Sequence, residues 1–437
     1  MVTEVVNVRY QGRIIGAVSF DVEKGYGSFE YANSFIASGI ELAPLTMPLR
    51  AGIYNFPGLP YPTFRGLPGL LADSLPDDFG NAVMNAWVAA QGKSPQDITP
   101  LQRLQYTGAR AMGALEYTPT LNKDVLSKAR QVEIESLVSI AQEVLDSRND
   151  FAVELQHGQE DRETMLELMS VGMSAGGARA KAVLAFNDDF TQVRSGQAQV
   201  PAGFTHYLMK FDGVSEHNTH QETFGDPSGY GVMEYVYHLM ATAAGIEMEP
   251  CHLLPEGNRR HFVTRRFDRR GNDKIHVQTL TGMAHVDYKN PGSFSYEELF
   301  DVARQLKLSR YEAEQLLRRM CFNIVARNHD DHAKNFAFML DDRKWKLAPA
   351  YDVAYSYKPG SKWVNRHWMS LNGKREDFTR RDFQHLSKFG KTFSADNINA
   401  ILDETIEQVA KWRSLAEQHE VPKALINEIA GNLRLQL

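Results

Sequence analysis

Between Val5 and Tyr31, short runs rich in β-branched and aromatic residues (VVNVRY, RIIGAVSF, GSFEYA) alternate with the turn signals QG and GYG. This pattern predicts a small antiparallel sheet. Pro and Gly crowd residues 44 to 69, after which apolar residues at helical spacing run from Leu70 to Gln91 and stop at Gly92. Thr99 before Pro100 reads as an N-cap and first helical turn. Residues 131 to 146 (QVEIESLVSIAQEVLD) predict an amphipathic helix, followed by a polar connector and a second helix ending near Val171. Strands are expected at 181 to 186 (KAVLAF) and 205 to 211 (THYLMKF), with a Ser/Gly/Gln-rich loop between them. A helix over about 229 to 244 and a strand pair around CHLL and HFVTRRF complete this strand-containing part. Beyond residue 290 the pattern is mostly helical: Ser309 and Glu312 form a capping box that opens a helix running toward Asn328, and Val421 and Pro422 start the last helix. The expected organisation is a β-rich subdomain at 1 to 120, a second lobe at 121 to 290 and a helical lobe at 291 to 437, with no internal repeat.

Composition narrows the function classes. At 437 residues the chain exceeds the size at which one core stops growing, which agrees with several subdomains. A net charge of −6 with interspersed acids and bases carries no polyanion-binding signal, so any nucleic acid is expected to come through another chain. Cys251 and Cys321 are the only cysteines, which excludes a disulfide scaffold or thiolate cluster and suits a reducing cytosol. No membrane span or signal peptide is apparent, and the expected location is cytoplasmic.

The chemistry concentrates in NHDDHAKNFAFMLDDRKWKLAPAYD, from Asn328 to Asp352. Two apolar runs, NFAFML and KWKLAP, flank a DDR turn, and folding that hairpin sets residue 349 opposite 335 and returns Asp352 beside His332 and Asp330. Asp330 and Asn335 stand at the D-x-x-x-x-N spacing of a kinase catalytic loop, with Asp352 where a kinase has its second metal-binding aspartate. Phosphoryl transfer needs a carboxylate beside the attacking hydroxyl, and hard oxygen donors to hold magnesium against the phosphates. The bland alternative is polar residues capping a helix end. Upstream, SAGGARAK, Ser174 to Lys181, is a glycine turn that either lays backbone N–H groups along phosphates or is a plain tight turn; it lacks Walker A order. Lys210 is either a phosphate-binding strand lysine, turned away from the face of Met209 and Phe211, or an edge-strand lysine. Glu234 either orients that lysine or is a solvated helix residue, and RRFDRR, Arg265 to Arg270, is an anion patch or a strand with local ion pairs. A different enzyme class, an HD-type metal phosphohydrolase, would use His329 and Asp330 as its metal dyad.

Taken in order, SAGGARAK, the strand lysine, RRFDRR, NHDDHAKN and AYD resemble the HipA family, the kinase components of bacterial toxin–antitoxin pairs. LLADSLPDDFG at 70 to 80 and YTGARAMGALEYTP at 106 to 119 resemble that family's amino-terminal subdomain. The resemblance implies an α+β, two-lobed fold similar to protein and phosphoinositide kinases, with an extra β-rich subdomain and a largely helical carboxy-terminal lobe. It implies an ATP- and magnesium-dependent serine/threonine kinase with Asp330 as base and Asn335 and Asp352 on Mg2+. The ATP contacts it implies are Gly176, Gly177, Ala178, Arg179 and Lys181 in the phosphate loop, Lys210, His332 and Lys334 toward the phosphates, Arg265 and Phe267 at the adenine, and Asp268 at the ribose. Ser174 matches the family's autophosphorylated serine, whereas Asp331 and Arg265 depart from the residues of the best-known member. The implied partners are a helix-turn-helix antitoxin of the HipB type, operator DNA only through that antitoxin, and an aminoacyl-tRNA synthetase as protein substrate. A pseudokinase serving only as antitoxin partner is the non-enzymatic alternative.

Overall fold

Alternation drives the first sheet. In β1 (Val5–Tyr10) Val6, Val8 and Tyr10 are buried while Val5 and Asn7 face out, the period of a half-buried strand. β1 pairs antiparallel with β2 (Arg13–Asp21), which pairs with β3 (Tyr26–Tyr31). β4 (Ile53–Tyr54) and β5 (Leu115–Thr118) close the order β4-β3-β2-β1-β5. The strands sit so close at Gly16 that a Cβ there would lie 2.2 Å from the Glu30 carbonyl oxygen, so no larger residue fits. The computed structural model describes residues 4–121, 131–146, 179–215, 225–226 and 228–437. Ser174, Gly176, Gly177, Ala178 and the helix expected to end near Val171 lie outside the described residues.

The chain divides into two compact units. The first is Met1–Ala43, Met47–Gly231 and His252–Val277; the second is Pro44–Thr46, Val232–Cys251 and Gln278–Leu437. The first unit thus holds both the amino-terminal sheet and a second sheet, made of β6 (Lys181–Asn187), β7 (Val193–Ser195), β8 (Phe204–Lys210), β9 (Cys251–Glu256) and β10 (Arg259–Arg265), in the order β9-β10-β8-β6-β7. β7 arises inside the stretch expected to be a loop. The apolar run from Leu70 to Gln91 makes one short turn and then helix α1 (Asp78–Ala90), not one helix. Pro76 cannot continue the first turn, and Asp77 restarts the helix by accepting a hydrogen bond from Gly80 N at 2.6 Å. α2 (Pro100–Thr107) has the expected Thr99 cap, completed by Gln102. One face of the second sheet (Leu184, Phe186, Met209, Val263) forms a core with α1 (Val83, Trp87) and α3 (Ile134–Asp146; Leu137, Ala141, Val144).

In the second unit, α4 (Tyr230–Ala243) supplies Tyr237, whose ring meets Phe322 and Trp412 at 6.1 and 5.5 Å and whose hydroxyl donates to Ala326 O at 2.7 Å. After β11 (His276–Thr279) and α5 (Tyr296–Gln305) comes α6 (Arg310–Val325), opened by the Ser309–Glu312 capping box. α6 ends where Arg327 takes a φ of +58°. The hairpin β12 (Ala337–Asp341) and β13 (Lys344–Leu347) has a two-residue turn, with Asp342 and Arg343 both at positive φ, the type I′ geometry. Asp341 pairs with Lys344 and Phe338 with Leu347, so the register brings residue 350, not 349, across from 335; the three-residue turn expected from DDR is one residue too long. α7 (Ala395–Val409) and α8 (Lys423–Asn432) finish the unit.

Candidate active site

The loop between α6 and β12 carries the acidic residues, and its two adjacent aspartates have different environments. Asp330 keeps 43% of its side chain exposed, with His332 Nε2 at 3.6 Å from its Oδ1. Asp331 is buried and accepts three hydrogen bonds: from the Tyr296 hydroxyl at 2.6 Å, His367 Nδ1 at 2.9 Å and the Trp368 backbone N–H at 2.7 Å. It therefore tethers the loop to α5 and to the stretch around residue 367. Asn323 Nδ2 adds to this network by donating to the Tyr296 hydroxyl, and Asn328 Nδ2 donates to Asn323 Oδ1.

Asn335 donates Nδ2 to the backbone oxygen of Asp330 at 2.7 Å. That bond fixes the amide so that its Oδ1 is the atom left to meet a cation. Asn335 lines a small pocket together with Asn328, Asp331, Tyr351 and Asp352. Asp352 arrives there through a bend at φ +53°, unusual for a non-glycine residue, and Tyr351 pins the bend by donating its hydroxyl to Lys334 O at 2.6 Å. An amide oxygen and a carboxylate in one pocket are the hard donors magnesium takes. Lys334 Nζ lies 4.7 Å from the Tyr288 ring centroid, beside His332, whose ring meets the same tyrosine at 5.4 Å.

His329 is fully buried against His367 and Tyr357, at ring distances of 4.1 and 4.8 Å. Burial, helped by His367 and Arg327, pushes its pKa down from 6.5 to about 2. A histidine enclosed in this way does not form an accessible metal dyad with Asp330, and among the described residues no group of three His, Cys, Asp or Glu could hold a metal ion. The HD-type reading therefore has no support in this geometry.

In the first unit, Lys210 is buried on β8, the middle strand of its sheet, so it is not an edge-strand lysine. It pairs in register with Lys181 and Phe262, on the face opposite Met209, as alternation requires. Lys181 is buried too and forms an ion pair with Asp77 at 2.9 Å. Burial raises the Asp77 pKa, against the pull of Lys181 and the Gly80 N–H. Arg179 is half-buried just before β6. The RRFDRR run forms the local ion pairs of its plainer reading. Asp268 takes Arg266 Nε and Nη2 at 2.8 and 2.6 Å, Arg269 Nη1 at 2.8 Å and the Gly113 N–H at 2.8 Å. Although burial opposes it, the two guanidinium groups and the amide hold this carboxyl well below its ordinary range. Gly113 is at φ +76° with Val277 N 2.9 Å from where a Cβ would stand, so glycine alone allows the approach. Arg265 is exposed and Phe267 half-buried, while Glu234 of the second unit is buried on α4.

Asp331 departs from the family residue, and its partners Tyr296, His367 and Trp368 are not legible in the sequence. No spacing rule links residues 35 to 37 positions apart, so only the adjacent pair of aspartates hints at two roles.

Comparisons with known proteins agree with this architecture. The profile described as HipA N-terminal domain matches residues 6–118, and that described as HipA-like C-terminal domain matches residues 173–413. A candidate kinase of Sinorhizobium fredii, Y4mE, is 26% identical over 457 residues, covering 99% of this chain and 97% of its own length. Among solved structures, HipA of Shewanella oneidensis MR-1, in complex with HipB and its operator DNA, aligns over 98% of this chain and 95% of its own, with a TM-score of 0.65 and 15% identity.

Proposed function

The chain belongs to the HipA family, and we propose that it is an ATP- and magnesium-dependent kinase that phosphorylates serine or threonine in a protein. The observation that carries this reading is the Asn335 Nδ2 bond to the Asp330 carbonyl, which holds an exposed carboxylate and an amide oxygen of the kind magnesium takes in one short loop, with Asp352 lining the same pocket as Asn335. Asp330 accepts the proton of the attacking hydroxyl as the new O–P bond forms and the bond from the γ-phosphorus to the bridging oxygen breaks, with ADP leaving. Asn335 Oδ1 and the Asp352 carboxylate would hold magnesium, which when bound neutralises charge on the transferring phosphoryl group. Lys210, kept off the edge of its sheet, is the proposed phosphate contact, with Lys334 and His332 on the side of the base. Arg265 and Phe267 are the proposed adenine contacts, while Asp268 is better accounted for as the anchor of that segment than as a ribose ligand. Lys181, engaged with Asp77, is likewise better read as a structural clamp than as a phosphate ligand.

The test is transfer of label from the γ-phosphate of ATP to protein in the presence of magnesium. Asp330→Asn and Asp352→Asn should each lower it by roughly two orders of magnitude or more, the scale of losing a positioned base or charge-stabilising group. Transfer within a few-fold of the unmodified protein would refute the assignment, and a protein that binds ATP without transferring would be a pseudokinase. By the same reading Ser174 is the self-phosphorylated residue. We further propose a helix-turn-helix antitoxin of the HipB type as partner, since the Shewanella relative was crystallised with HipB and operator DNA. This chain's net charge of −6 leaves DNA contact to that partner. The family implies an aminoacyl-tRNA synthetase as target and blocked translation as outcome.

A further inference from the structure

The stretch after Asp352 is not used by the catalytic reading, yet its charge and its rings are unusual for this chain. From Val353 to Arg375 there are five Lys or Arg and no Asp or Glu, in a protein whose net charge is −6. Among these cations, Arg366 pairs with Glu376 and Lys374 with Asp382, both at 2.9 Å, and Arg375 Nε donates to His367 O at 2.6 Å. Lys358 and Lys362 are exposed, and Lys362 Nζ lies 4.9 Å from the Trp363 ring centroid. Trp363 is itself 39% exposed, the largest side chain among the exposed apolar residues described.

Trp363 is not a loose surface residue. Its ring stacks on that of Trp368, 5.8 Å between centroids and 5° from parallel. Trp368 is buried, meets the His332 ring edge-on at 5.6 Å, and is tied through its N–H to Asp331. His332 in turn reaches Asp330 at 3.6 Å. A line of packed rings therefore leads from the proposed base to an exposed indole flanked by lysines.

We propose that Trp363, with Lys358 and Lys362, is the docking ledge for an acidic segment of the polypeptide that receives the phosphoryl group. The identity of this occupant rests on the kinase reading: if the accepting hydroxyl stands at Asp330, the residues flanking it run over the nearest rigid surface. A fixed indole supplies the water-excluding contact that anchors a peptide. Two exposed lysines match one or two carboxylates. A nucleic acid would be held by a longer track, on the order of 6–10 phosphate contacts, which this patch does not provide.

The test reads binding apart from transfer, by fluorescence anisotropy on full-length Asp330→Asn protein. The probes are short serine-containing peptides with acidic, neutral or basic flanks and a single-stranded oligonucleotide. The acidic peptide should bind about tenfold tighter than the neutral one, and Trp363→Ala should weaken it about tenfold. Reversing both charges, Lys358→Glu with Lys362→Glu at exposed positions that do not threaten folding, should shift the preference to the basic peptide. The ledge is overturned if acidic and neutral peptides bind alike, if both variants leave acidic-peptide affinity within about twofold of the parent, or if these residues govern oligonucleotide binding instead. Failure of the kinase reading would look different: peptide binding would persist while the wild-type protein transferred no label.

Discussion

Asp330 leaves 43% of its side chain open, whereas Asp331 beside it is enclosed by the Tyr296 hydroxyl, His367 and the Trp368 N–H. Substitution should separate the two roles. Asp331→Ala would leave three buried donors without their acceptor, each costing about 1–3 kcal/mol, so the unfolding free energy should drop by roughly 3 kcal/mol or more. Asp330→Asn should leave the urea midpoint close to that of the parent while removing transfer. Equal midpoints for both variants would mean that Asp331 is not the tether its contacts describe.

Among the elements, α6 matters most, because its C-terminal end delivers the loop that carries Asp330 and Asn335. Ser309 N donates to Glu312 Oε2 at 2.7 Å, while Glu312 N donates to Ser309 Oγ at 3.3 Å. Glu312 also takes the Leu347 N–H on its other oxygen at 2.8 Å, joining the helix start to β13. Ser309→Ala should cost about 1 kcal/mol, the usual worth of an N-cap, with phosphoryl transfer unchanged at temperatures where the protein is folded. A thermal melt alongside the transfer assay checks both parts. The cap was legible in the S-x-x-E pattern. The link to Leu347 was not, because it depends on the hairpin register that the type I′ turn sets.

Over the whole molecule, buried histidines set a common response to acid. Burial lowers His276 from 6.5 to about 4 despite its bond to Leu42 O, and burial likewise lowers His285 to about 4. Their folded pKa values are depressed, so the unfolded chain binds protons first. The stability they contribute is complete above about pH 6.5 and is lost as pH falls toward about 4, at up to about 1.4 kcal/mol per pH unit for His276. Asp382, held down to about 2 by Asn372, Thr379 and Lys374 against burial, acts only below its ordinary 3.8. Urea midpoints should therefore fall between pH 7 and pH 5, and His276→Gln should flatten that fall. A midpoint that does not change over this range would show that the histidines are not held neutral.

Local physics was readable along the chain. Alternation marked β1, short apolar runs marked β6 and β8, Ser309 and Thr99 marked helix starts, and D-x-x-x-x-N with AYD marked the residues that line or flank one pocket. These signals depend on neighbours a few positions apart, whose geometry any strand, helix or hairpin repeats. The tertiary path alone decided which of several open readings each charged residue took. Lys210 became a central-strand lysine because β10 pairs on the far side of β8 from β6. Lys181 was drawn to Asp77, 104 positions earlier in the chain, and Asp268 to the Gly113 N–H 155 positions away. A buried charge takes whichever partner the fold brings within about 3 Å, since leaving it unpaired costs several kcal/mol, and that partner has no signature in the residues beside it.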